Sequence, residues 1–298
     1  VTVSGKMTAN NGENTINMGD GTNVLTLALG AFAEGSGSNR VEGGADRDIV
    51  SIAGKFEASG SGSNHFDLGD GNNVLTLARG MTALEDGANS SNLGSGRDVV
   101  TVAGRMDAQN DGTNEIVLSG GDNVITLARG MAALESGVNV LQAEGDGNNI
   151  ITVSSNLYTQ DLGINTISTE SGNDTIVLNG MNAQGAGVNG VITGSGDDLV
   201  TLIGNVTASE YGRNLVYLGE GNDKLVLRGM VEAGSLEIDG QEGYDILSLN
   251  ATTANGFNSR YESWLSGENL AEMNINSIQV DISFATNYKS ISWLGDMV

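Results

Sequence analysis

Six aspartates share one place in a recurring phrase. Asp48, Asp98, Asp174, Asp198, Asp223 and Asp245 each stand fifth in a nine-residue unit close to G-x-G-x-N/D-x-apolar-x-apolar, as in GSGDDLVTL (194–202) and GEGNDKLVL (219–227). Carboxylates at a glycine-shaped turn can serve as hard oxygen ligands for a cation, or in pairs as general acid and base. Repetition alone brings carboxylates into register, so their pairing is weak support for acid–base work. What they do depends on how closely the fold stacks them.

The spacing answers that question. The Asn or Asp in fifth place falls at 14, 23, 39, 48, 64, 73, 89, 98, 114 and 123, and continues to Asp245 in steps that alternate between 9 and 16. One-residue slips occur near Asn149 and Asn189. Two nonapeptides and a seven-residue third piece thus make a 25-residue unit, repeated about nine times. Each nonapeptide is a Gly-rich turn followed by apolar residues at period two, the mark of a short strand. The pattern predicts an all-β fold, a three-sided parallel β-solenoid of nine or ten coils over residues 1–250, with neighbouring coils roughly 4.8 Å apart. Residues 251–298 leave the repeat and are expected to form a C-terminal cap or the start of a following module, with a short helix over 259–273 and a strand over 276–284. The predicted core stacks Leu25, Val50, Leu75, Val100 and their equivalents on the second side. On the third side Phe56, Met81, Met106, Met131 and Met181 alternate with Ala two places on. A weaker period of 50 also appears: LTLARGM (75–81) and ITLARGM (125–131) alternate with VSIAGKF (50–56) and VTVAGRM (100–106).

Composition narrows the function classes. The 298 residues include 45 Gly and neither Pro nor Cys, and the net charge is −24. Absent Pro suits a chain whose interior strands all donate to a ladder. Absent Cys removes disulfide staples without fixing a compartment. Such an acidic surface repels nucleic acid and favours cations. No apolar run reaches the length of a membrane span, and no signal peptide is seen. The opening VTVSGKMTAN aligns with VTVAGRMDAQ (100–109), so the chain is expected to start in mid-repeat as a fragment or processed product.

The two turn columns differ. The first is Asn throughout, from Asn14 to Asn214, and is expected to be a structural ladder of amides that needs no metal. The second reads Asn23, Asp48, Asn73, Asp98, Asn123, Asn149, Asp174, Asp198, Asp223, Asp245. Where it holds Asn, an Asp often sits three residues earlier: Asp20, Asp70, Asp146. Where it holds Asp48, Asp98, Asp174 or Asp198, that earlier place is Ala45, Ser95, Ser171 or Ser195. Its last four members stack Asp on Asp, with Glu220 and Glu242 added. Two carboxylates at coil spacing repel by roughly 0.9 kcal/mol in water and roughly 3.5 at an effective dielectric of about 20. Four in line call for cations between them. The alternative is a solvated Asp in an Asx-turn.

These phrases, with ESGNDTIVL (170–178), resemble the RTX, or haemolysin-type, calcium-binding repeat over about 240 residues. The resemblance implies Ca²⁺ held by turn Asp and backbone carbonyls, and export by type I secretion. The chain departs from the pattern in its seven-residue third side, in aliphatic residues such as Leu68 and Leu77 at the first Gly, and in the all-Asn column. On this reading Ca²⁺ binds at Asp174, Asp198, Asp223 and Asp245, and more weakly or not at all at Asp48 and Asp98.

Other features point to surfaces. Outward pairs on the second strand, Val24/Thr26, Ile49/Ser51, Val74/Thr76, Val99/Thr101, Val124/Thr126 and Ile150/Thr152, predict a level face of apolar and hydroxyl side chains. Cover by the C-terminal segment or by a second copy would account for it, as would a binding surface. His65, the only His, belongs to the polar outward set of the first strand. Nothing gathers an acid, a base and a cation in one insertion, and no P-loop, Rossmann fingerprint or Cys/His cluster occurs. The expected function is a non-enzymatic structural or adhesive segment of a larger extracellular or cell-surface bacterial protein, stiffened by calcium. Its expected partners are calcium with a second copy, another surface protein or a glycan. The rivals are a carbohydrate-active β-helix enzyme, which groove-lining Arg or Lys beside carboxylates would favour, and an ice-binding solenoid.

Overall fold

Every strand pairing among the described residues is parallel and joins residues about one coil apart. The computed structural model describes residues 1–232, 235–251 and 277–282. Three strand columns run along one axis. The first side is a ten-stranded sheet from Glu13–Asn17 to Glu237–Asp239. The second and third sides merge into a 19-stranded sheet. They merge because Ile150–Thr159 and Thr175–Ala183 run as continuous strands around the corner between them. A β-solenoid is therefore the architecture, as the 25-residue period requires.

Register is fixed by alternation. Val74, Leu75, Thr76 and Leu77 pair with Ile49 to Ile52 on one side and with Val99 to Val102 on the other. A one-residue slip would turn the buried Leu out and the Thr in. The slip near Asn149 is absorbed locally, by bulges between Ala143 and Asp146 and between Val153 and Asn156. Ser277–Ile282 extends the second side, pairing in register with Ile246–Ala251. That strand agrees with the sequence, whereas the helix expected over 259–273 lies outside the described residues.

Both apolar ladders are buried. Leu25, Val50, Leu75, Val100 and Ile125 have no accessible surface, and the same holds for Phe56, Met81, Met106 and Met131 with Ala58, Ala83, Ala108 and Ala133. Each coil hides its apolar edge only against neighbouring coils, so stability accrues by stacking. Phe56 and Phe66 meet edge to face at 4.8 Å inside one coil.

Close stacking at the corner between second and third sides demands glycine. A Cβ on Gly104 would lie 2.1 Å from the carbonyl carbon of Arg79 in the coil below, and one on Gly80 would lie 2.1 Å from the oxygen of Arg105 above. Each coil here has room for one side chain across two positions, which is why Arg79-Gly80 alternates with Gly104-Arg105. We expect Gly104→Ala to pry these coils apart, at a cost of about 1–3 kcal/mol read as a lower melting temperature.

Among the described residues no helix is long and apolar enough to cross a membrane.

Candidate metal centre

The all-Asn column forms an unbroken chain of amides. Each Nδ2 from Asn14 to Asn189 donates to the Oδ1 of the next coil's Asn at 2.7–2.9 Å. The second N–H turns to a backbone oxygen of its own coil, as in Asn64 to Glu57 O and Asn114 to Asp107 O. Both donors and Oδ1 of an interior Asn are thus satisfied without a metal, as the sequence predicts.

The second column lies at the corner between the first and second sides, and its logic is different. The backbone N–H of each member donates to the Oδ1 of the next, from Asn23 to Asp48 through Asp223 to Asp245, at 2.7–3.2 Å. All six predicted aspartates therefore sit in one ladder. None is a solvated Asx-turn residue, since Asp48, Asp98 and Asp245 are fully buried and Asp174, Asp198 and Asp223 nearly so.

Oδ1 is accounted for from Asp48 onward; the other terminal atom distinguishes Asn from Asp. In the Asn coils Nδ2 donates to the turn carbonyls that curl around it. Asn23 reaches Gly19 O at 3.0 Å and Gly21 O at 2.7 Å, Asn73 reaches Gly69 O at 2.9 Å, and Asn149 reaches Gly147 O at 3.0 Å. In the Asp coils an oxygen replaces that nitrogen, and it cannot donate. The Oδ2 atoms of Asp98 and Asp223 are buried with no hydrogen-bond partner. Those of Asp174 and Asp198 are likewise buried without a partner at full hydrogen-bond geometry, with the Thr169 and Thr193 hydroxyls beside their carboxylates. Asp48 departs from this, because its Oδ2 lies 3.4 Å from Gly44 N.

A buried carboxylate oxygen in a turn built to present carbonyls fits a hard cation. The cation would take over the role that the Asn –NH₂ plays in neighbouring coils. Asp98, Asp174, Asp198 and Asp223 would each supply one carboxylate oxygen and the turn backbone the rest. Among the described residues no group of three or more His, Cys, Asp or Glu could hold a metal by side chains alone, so the turn backbone would have to supply most of the ligands. Asp70, by contrast, points outward and accepts both the N–H and the hydroxyl of Ser95. Glu220 and Glu242 are exposed.

The electrostatic cost comes from a different source than the sequence suggested. Burial, ahead of repulsion between stacked carboxylates, pushes Asp98 and Asp198 up to about 7 and Asp223 up to about 6. Burial also raises Asp174 and Asp245. Asp98 has Asn above and below it in the column and is raised as far as Asp198, which has Asp on both sides. Upstream Asp98 is therefore as good a candidate as the C-terminal four.

Two features escaped sequence reasoning. A second, outer Asx ladder runs beside the first in the opposite sense: Asn148 N donates to Asp122 Oδ1, Asn173 N to Asn148 Oδ1 and Asp197 N to Asn173 Oδ1. The unbroken run of Asx just before the column members from Asn123 to Asp223 (Asp122, Asn148, Asn173, Asp197 and Asn222) was the available signal. The other is a basic groove at the opposite corner, foreshadowed by the ARG/GKF alternation.

The predicted outward face is present. Val24, Ile49, Val74, Val99, Val124 and Ile150 form one rank, and Thr26, Ser51, Thr76, Thr101, Thr126 and Thr152 another. Thr2 extends the hydroxyl rank by one coil. Among the described residues nothing covers this face; Val24 and Ile150 are about half exposed, at 52% and 49%. His65 is half-buried on the first side, with Nδ1 2.7 Å from Ser90 Oγ.

No protein-family model matches the chain, and no curated protein matches it. Among solved structures the chain is similar to a hyperactive, Ca²⁺-dependent, β-helical antifreeze protein from an Antarctic bacterium. Identity is 16% over 92% of each chain, with a TM-score of 0.37. At that distance the functional assignment rests on this chain's own residues.

Proposed function

We propose that this solenoid is a calcium-stiffened, non-enzymatic segment of a larger secreted or cell-surface protein of RTX type, and that its Val/Ile–Thr/Ser face is an adhesive or assembly surface. The observation that carries this reading is the pair of ranks themselves, in register over six coils and open to solvent. A continuous apolar and hydroxyl surface of that extent is unusual for a monomer. Buried carboxylates at the neighbouring corner would give calcium its role, since rigid coils keep the ranks aligned.

The non-enzymatic part is supported by the pairing of the groove carboxylates. Asp107, beside the basic groove, is held by Arg105 at 2.6 Å, and Glu57 by Lys55 at 2.7 Å. The only His lies on another side of the coil.

A second reading, binding to ice, is favoured by one observation: seven successive coils, from Thr2 to Thr152, place Thr or Ser in a single rank. Thr101→Lys puts a charge in mid-face and tests both readings. In calcium buffer, sedimentation velocity of the wild-type chain should show concentration-dependent association that the variant loses. Thermal hysteresis lost in the variant, with no association by either chain, would make ice the ligand instead. Unsaturated sugar released from an acidic polysaccharide would overturn the non-enzymatic reading.

A further inference from the structure

Acidic residues outnumber basic ones by 37 to 13 in this chain, yet five of the thirteen gather along one edge. Lys6, Lys55, Arg79, Arg105 and Arg129 line two adjoining grooves at the corner between the second and third sides. The grooves share Lys55 and Arg79 and therefore run into one another along the axis. From Lys55 to Arg129 every coil contributes one cation, about 5 Å from the next along the axis. The stagger between two sequence positions, with Gly filling the other, keeps side chains of successive coils from colliding. Ala53, Ala78, Ala103 and Ala128, all exposed, form a smooth strip beside them.

Charge balance along the row is uneven. Lys55 and Arg105 each face a carboxylate two residues on, Glu57 and Asp107. In the alternate coils Thr82 and Ala132 stand in those places. Arg79 and Arg129 consequently take part in none of the four ion pairs among the described residues. Two exposed guanidinium groups thus carry uncompensated charge on an otherwise anionic molecule.

We infer that this edge binds a linear acidic polysaccharide, laid along the solenoid axis with its anionic groups on the Lys/Arg row and its sugar rings over the alanine strip. Evenly spaced cations fit a polymer that carries a charge on successive rings, and a guanidinium fork suits a carboxylate. Bare alanines leave room for a flat ring. Single-stranded nucleic acid fits less well, because the aromatic ring that lines the groove, Phe32, is half-buried with the Lys6 ammonium over it at 4.5 Å, and the coils from Lys55 to Arg129 add no further ring on which successive bases could stack. The inference stands on other side chains than the calcium column and the Val–Thr face, so it can fail without them.

Calorimetric titration of the full chain in calcium buffer tests it, with a uronic-acid hexamer as probe, beside a neutral hexasaccharide and a single-stranded hexanucleotide. The uronate should bind, the other two should not, and added salt should weaken the binding. Arg79→Gln with Arg129→Gln should reduce affinity by about tenfold or more, while Arg97→Gln, at a different corner, should leave it unchanged. A melting temperature unaltered by these exposed substitutions shows that folding is intact. Equal binding by the double variant, no uronate binding at all, or equal binding of the hexanucleotide would each overturn the proposal.

Discussion

If calcium occupies the second turn column as proposed, stripping it should lower the melting temperature by at least about 10 °C, with the loss beginning at the C-terminal end. The reason is the terminal atom in the second turn column. In coils with Asn73 or Asn123 the turn carbonyls already have an amide donor. In coils with Asp174, Asp198 and Asp223 they face a buried oxygen instead. Those coils are consecutive, whereas Asp98 is flanked by Asn. Coils unfold semi-independently in such arrays, so hydrogen exchange in EDTA should open residues beyond 174 first and leave the strands near Val74–Leu77 protected. Uniform exchange along the whole chain, or no shift in melting, would sink the calcium assignment.

The pH dependence of the chelated protein has a definite sign. These carboxyls hold their proton more tightly folded than unfolded, with values raised to about 7 for Asp98 and Asp198 and about 6 for Asp223. Protonation therefore favours the folded state. Stability without calcium should be greatest below the ordinary carboxylate range and should fall as pH rises through 7. With calcium bound the carboxylates are ionised, so the calcium-induced gain in melting temperature should shrink as the medium is acidified. Asp198→Asn separates these effects. The amide supplies the missing donor, so the variant should be more stable than wild type in EDTA and gain less from calcium.

A break in the all-Asn column should be the most damaging single change on the first side. Asn114, fully buried, accepts from Asn89 and donates to Asn139 and to Asp107 O, each at 2.9 Å. Asn114→Ala removes all three bonds and leaves Asn139 Oδ1 and Asp107 O without that donor. The expected cost is about 3–5 kcal/mol, and it should not respond to calcium. Asn14→Ala, at the partly exposed start of the ladder, should cost less than half as much. Thermal melts with and without EDTA check both.

Much of this architecture is legible in the sequence because position in the repeat is position in space. Period two fixes which side chains point inward, and a 25-residue step fixes which residues meet. Hence the Leu25 and Met81 ladders, the amide column and the Val–Thr ranks all stand where spacing puts them. Burial at the corners was not legible. Coulomb spacing alone suggested that Asp on Asp sets the cost, but Asp98, with Asn above and below, is raised as far as Asp198. Burial at that corner decides this, and depth in the fold has no letter in a sequence. The basic groove was hidden for a related reason: Arg79 and Arg105 occupy different repeat positions and align only because adjacent glycines let each coil shift its side chain by one place.

That glycine stagger also sets a quantum of length. Excising residues 74–98 would bring Gly54-Lys55 directly beneath Gly104-Arg105, superposing two cations and leaving two glycines face to face. Excising residues 74–123 would restore the original neighbours, Gly54 under Arg129 and Lys55 under Gly130. Rods of this kind are therefore free to grow or shrink by duplication and loss of coil pairs, about fifty residues at a time, and are penalised for any odd number.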